Sequence, residues 1–256
     1  MEETGKNPIQ VAERLFQVIE RLAENGPMGI MDLSAELGFH KSTTHRLVTS
    51  LQYMGYIRQD EESLKYALSL KFLEIGSKIL EQTNMASLIH PSLKKLSEQT
   101  GETVHLVRRE GTEAVYIDKV ESTVSSIRMV SRVGSRIPLY CSGVGKALLA
   151  ELPDPEIEDI WNSSEITSLT PYTVTSLSDL MDRIRGVREA GYAMDDEENE
   201  EGVRCIAVSI PDYHKEPVYA LSISAPVSRM TDARIAELST DVLTFKKDLE
   251  KDRKST

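Results

Sequence analysis

Over the first eighty residues, apolar positions recur every three or four residues and glycines punctuate the pattern. Ile9, Val11, Leu15, Val18, Ile19 and Leu22 share one stripe, predicting an amphipathic helix that ends before Asn25-Gly26-Pro27. Residues 31–37 read as a short second helix, with Asp32 as its N-terminal cap and Gly38 as its stop. A third helix is expected over 41–54, with Leu47, Val48, Leu51 and Met54 turned inward and Gly55 ending it. Tyr56-Ile57-Arg58 and Tyr66-Ala67-Leu68 flank a charged turn and read as a β-hairpin. Helical spacing returns over 68–80, where Leu68, Phe72, Ile75 and Ile79 form a stripe expected to be part core and part seam with a second copy. This order is that of a winged helix-turn-helix followed by a connecting helix.

Beyond residue 83 the texture changes. Strands are expected at 103–107, 114–117 and 127–129, then a helix over 143–152 that opens on a glycine-rich turn and ends before Pro153. A helix over 177–190, strands at 203–210 and 218–224 joined across 211–217, and a closing helix over 235–249 complete the pattern. Mixed order with antiparallel hairpins predicts an α+β domain rather than a doubly wound one. The expected division is a DNA-binding domain over 1–68, a linker helix over 69–82 and a second domain over 83–256.

Charge sharpens the reading of the third helix. The chain has 41 acidic against 30 basic residues, a formal charge of −11, so any contact with nucleic acid must be local. Yet residues 38–59 contain no carboxylate, while Lys41, Arg46 and Arg58 are cationic. With Leu47, Val48 and Leu51 inward, Lys41, Ser42, Thr43, His45, Arg46 and Thr49 project outward. Such a face suits the major groove, where Arg or Lys donates to guanine and Ser or Thr contacts base or phosphate. An acid there would meet the phosphate field, which explains its exclusion. Arg58 and Lys65 flank the hairpin turn and are candidates for a wing contact.

Composition adds exclusions. No apolar run approaches eighteen residues, so no membrane span is expected. The start, MEETGKNPIQ, lacks the basic and apolar blocks of an export signal, and two cysteines cannot build a disulfide framework. Cys141 and Cys205 are therefore expected as reduced thiols in a cytoplasmic protein.

Three blocks, LSAELGFHKSTTHRLVTSLQYMGYI, GSRIPLYCSGVGKALLA and EEGVRCIAVSI…ALSISAP, occur in this order. Through them the chain, from about residue 9 to 249, resembles the IclR family of bacterial transcription regulators. The resemblance implies a winged helix-turn-helix, a linker helix and a GAF-like α+β effector-binding domain. It also implies a homodimer, often paired into a tetramer, on palindromic double-stranded operator DNA. One departure is Ser69, where many members carry glycine at the wing exit.

The turn Ser142-Gly143-Val144-Gly145-Lys146-Ala147 runs into a helix whose first N–H groups lack partners, a natural receiver for a carboxylate. It is no phosphate-binding P-loop, because Tyr140 and Ala147 stand where that motif needs Gly and Ser or Thr. The resemblance implies that Gly143 and Val144 offer amides to a small-acid effector, with Asp195 and Cys205 lining the pocket. Strand alternation puts Ser222 and Ser224 on one face; that their hydroxyls reach the same carboxylate is what the resemblance implies. The acidic run at 195–201 is expected to be a solvated loop with most of its carboxylates outward. No cofactor or metal is expected: Asp195, Cys205 and His214 are metal-capable but lack tight ligand spacing.

A competing class is a cysteine-dependent enzyme acting on a small acid, with Cys141 or Cys205 as nucleophile and His105 or His214 as base. No His–Asp partner spacing supports it. A constitutive DNA-binding protein would leave the large second domain without a task. The expected function is a transcription regulator, a repressor rather than an activator, tuned by a small organic acid such as a 2-keto or sugar-derived keto acid.

Overall fold

The computed structural model describes residues 7–82, 84–122, 130–212 and 216–254, so the expected strand at 127–129 and His214 lie outside the described residues. The chain divides into two compact units, Met1–Gln82 and Thr83–Thr256, with the linker helix grouped in the first.

In the first unit α1 (Gln10–Asn25), α2 (Ile30–Leu37) and α3 (Lys41–Tyr53) precede a hairpin of β1 (Ile57–Gln59) and β2 (Tyr66–Leu68), then α4 (Lys71–Gln82). Val18, Leu22, Leu33, Leu47, Val48, Leu51, Ile57 and Tyr66 form its buried core. Full burial of a side chain such as Leu33 stabilises by roughly 1.5–3 kcal/mol. Gly38 takes the left-handed conformation, φ 65°, that turns the chain from α2 into α3.

Two expectations need correction. The cap of α2 is Gly29, not Asp32; the helix starts earlier than the pattern suggested, placing Asp32 in its first turn, where the helix dipole still favours a carboxylate. Met54 is the C-cap of α3 and is exposed, because the helix has ended before its side chain can turn inward. The linker stripe divides: Leu68 and Phe72 pack on their own unit, whereas Ile75 and Ile79 are exposed. Phe72 meets the Tyr56 ring at 5.3 Å. Ser69 accommodates the wing exit by hydrogen bonding, its Oγ donating to the Gly55 carbonyl at 2.6 Å and accepting from the Lys71 N–H at 3.3 Å.

The second unit is built on an antiparallel sheet in the order β5-β4-β3-β8-β7-β6 among the described residues. Its elements are α5 (Asn84–Thr100), β3 (Thr103–Glu110), β4 (Glu113–Val120), β5 (Arg136–Pro138), α6 (Gly143–Leu149), α7 (Asp154–Ser163), α8 (Leu177–Ala190), β6 (Ala193–Asp196), β7 (Val203–Ile210), β8 (Tyr219–Pro226) and α9 (Asp232–Lys254). Residues Val104, Leu106, Ile206, Val208, Leu221 and Ile223 alternate onto one face and pack with α5 and α9. The opposite face presents Val107, Ala193, Ala207 and Ala220 to α6 and α8. The α+β class is thus correct, with helices covering both faces of an antiparallel sheet.

Candidate functional site

The first candidate surface is α3. At 100° per residue, Thr44, Leu47, Val48 and Leu51 point inward and are buried. Lys41, Ser42, His45, Arg46 and Thr49 are exposed as expected, but Thr43 is half-buried. The helix has no acid in its first turn and no side-chain cap; the His40 carbonyl accepts from Thr43 and Thr44 N–H groups at 2.9 and 3.0 Å. An uncapped, acid-free helix start suits a phosphate group. Tyr53, which the charge pattern did not single out, is 92% exposed at the other end of the same helix.

The wing is mixed. Arg58 and Lys65 are exposed on the outer face of the hairpin, but Asp60, Glu61 and Glu62 are exposed at its tip. Asp60 accepts from the N–H and Oγ of Ser63, hydrogen bonds that hold its carboxyl below the usual range. Phosphate would be repelled by this tip, so only the base of the wing, at Arg58 and Lys65, is suited to approach a backbone.

The second candidate site lies on the α6-facing side of the large sheet. Cross-strand register sets Cys205 beside Ser224 and Asp195, and Ser222 beside His105 and Ala207. Ser222 and Ser224 Oγ atoms are 3.5 Å apart, and each is within 3.4 Å of His105 Nδ1. The other ring nitrogen of His105 is 2.7 Å from Ser131 Oγ, and the Tyr116 ring packs edge-on at 5.1 Å. Burial, with the nearby Lys119 cation, pulls the His105 pKa down to about 3, so the ring is neutral near pH 7.

Helix α6 closes over this layer. Ser142 caps it, accepting from the Gly145 N–H at 3.1 Å. A Cβ at Gly143 would lie in ordinary van der Waals contact with the Asp195 backbone N and Cβ, at 3.4 and 3.5 Å, so the start of α6 lies directly against β6. Gly145 has a packing reason of its own, since a Cβ there would overlap the Leu139 backbone. Gly143, Val144, Asp195, Ser222 and Ser224 are buried and Cys205 is half-buried.

Two groups that the sequence reading missed govern the charge here. Lys146 of α6 pairs with Glu198, and both side chains are only 2% exposed. Glu198 Oε2 is buried with no hydrogen-bond partner. The acidic run is therefore not a uniformly solvated loop: Asp195 and Glu198 are buried, while Asp196 and Glu201 are exposed. Burial raises Asp195 to about 7 despite Lys146 and the Glu198 N–H, which favour its charged form.

Residues 77–250 match the model for the bacterial transcriptional regulator IclR C-terminal domain, and residues 11–61 match the IclR helix-turn-helix domain. The chain belongs to the IclR family of bacterial transcription regulators. The acetate operon repressor of Salmonella typhimurium is 36% identical over 244 residues, covering 94% of this chain and 89% of that protein. Transcriptional repressor IclR of Escherichia coli is 35% identical, with the same coverage. The crystal structure of Thermotoga maritima IclR superposes with a TM-score of 0.80 at 31% identity, covering 95% of this chain and 98% of that one.

IclR-family membership makes this chain a DNA-binding transcription regulator and sets aside the enzyme reading. The chemistry agrees. Burial pushes the Cys141 thiol up to about 12 and Cys205 higher still, so neither is poised as a thiolate. Among the described residues no group of three or more His, Cys, Asp or Glu is placed to hold a metal, and no helix is long and apolar enough to cross a membrane.

Proposed function

We propose that this IclR-family chain is a cytoplasmic repressor that binds operator DNA as a homodimer or a pair of dimers, and that a small organic acid sets its affinity. The observation that carries the effector reading is the polar patch of Asp195, Cys205, His105, Ser222 and Ser224 on a sheet face otherwise packed with apolar residues, directly beneath the start of α6. Buried polar groups are costly unless satisfied, and a ligand that accepts from serine hydroxyls and the Gly143 and Val144 amides would repay that cost. Donors of this kind suit a 2-keto or sugar-derived keto acid. Repression is supported by the two relatives named repressors.

The linkage requires the acid to bind two arrangements of the protein with different affinity. A coupling of about 1–3 kcal/mol changes operator affinity roughly 5- to 150-fold. A thermal-shift screen of organic acids identifies the effector, since a ligand selective for the folded state raises the melting temperature. The paired variant Ser222→Ala/Ser224→Ala should lose that shift while still binding operator. If it retains the full shift, the effector lies elsewhere.

A further inference from the structure

Tyr53 stands at the last position of α3 and is 92% exposed. With the buried row of Thr44, Leu47, Val48 and Leu51 facing inward, Ser42, Arg46, Thr49 and Tyr53 all fall within about 30° of the outward direction. This row is about 17 Å long, whereas the major groove is about 12 Å wide. Where α3 crosses the groove rather than running along it, its two ends cannot both lie over base edges. With Ser42 and Arg46 over the bases, Tyr53 is carried about 10 Å further along the helix, toward the sugar-phosphate edge.

A helix C-terminus ordinarily repels phosphate, because its unpaired carbonyls carry partial negative charge. Here that charge is met. Lys71 Nζ donates to the Met54 carbonyl at 2.7 Å, one residue beyond Tyr53, and sits 4.2 Å from the Tyr56 ring centroid. Tyr56 is in turn packed on Phe72, so the lysine is held by its neighbours. No carboxylate occurs anywhere over residues 38–59. The far end of α3 thus combines a projecting hydroxyl with a fixed cation.

We propose that Tyr53 and Lys71 form a second anchor on the DNA backbone, the tyrosine hydroxyl donating to a phosphate oxygen while the lysine makes the helix end hospitable to it. The inference rests on α3 being the DNA-contacting helix, and its test separates the two claims. The full-length wild type first selects a duplex from a randomised library; selection of none would overturn the α3 reading and this one together. Tyr53→Phe keeps the ring and removes only the hydroxyl. It should weaken the selected duplex and a scrambled duplex by the same factor, about 10-fold, with the salt slope unchanged. Ethylation of one backbone phosphate should block the wild type and not this variant. Lys71→Gln should lower the salt slope by about 0.9. Unchanged affinity in Tyr53→Phe, a loss confined to one base position, or a loss that tracks oligomer dissociation in sedimentation would each overturn the tyrosine contact. An unchanged slope in Lys71→Gln would overturn the part given to the lysine.

Discussion

Replacing Lys146 by Met removes the cation from an ion pair whose side chains are each 2% exposed. The partner, Glu198, already has one carboxylate oxygen without a hydrogen bond, so the variant leaves a buried charge with little to hold it. Breaking a buried pair from one side costs about 3–5 kcal/mol. For a unit of this size each kcal/mol lowers the melting temperature by about 2–4 °C, giving a fall of about 6–20 °C in the second unit. The double variant Lys146→Met/Glu198→Leu removes both charges and keeps the volume, and should melt within a few degrees of wild type. Calorimetry of the full chain, following the transition of that unit, measures all three proteins. A single variant that melts within 2 °C of wild type, or a double that falls as far as the single, refutes the idea that the pair is held together by mutual need.

Other consequences can be measured with the same protein. Arg46→Ala should weaken operator binding about tenfold and relax the preference at one base position, with the effector-induced melting shift unchanged; anisotropy titrations against duplexes altered one base pair at a time report the loss. Asp195 is raised from 3.8 to about 7 by burial, so its contribution is fully present below pH 4 and is lost as pH rises through 7. Asp195→Asn should therefore gain up to about 4 kcal/mol on the wild type at pH 8 and nothing at pH 4, in melts across that range. Gly145→Ala should cost about 1–3 kcal/mol or more through overlap with the Leu139 backbone, and an unchanged melting temperature would contradict the packing described.

The elements legible in the sequence were those with a strong local signal. α3 announced itself through Leu47, Val48 and Leu51 between Gly38 and Gly55, and β7 and β8 through nearly unbroken apolar runs. The helix α5 was missed, although Met85, Ile89, Leu93 and Leu96 are spaced for it, because Pro91 reads as a breaker yet sits inside. The strands β5 and β6 are three and four residues long, too short for a period to show. At the proposed effector site, alternation paired Ser222 with Ser224, but their meeting with His105 depends on strands more than a hundred residues apart. Glu198 was hidden in an acidic run. A signal did exist: α6 reads GVGKALL, with no polar face to turn to water, so its lone lysine required a buried acid.

Those distant pairings also dictate an order of events at the ribosome. The first unit is assembled from contacts within its own eighty-two residues. The large sheet has β8 between β3 and β7, so its centre is missing until residue 226 has been made. Contacts between neighbours form before those that close long loops. A nascent chain thus acquires its three-helix module early and the sheet late, and a product cut short before β8 would hold a finished helix-turn-helix beside a sheet that lacks a central strand.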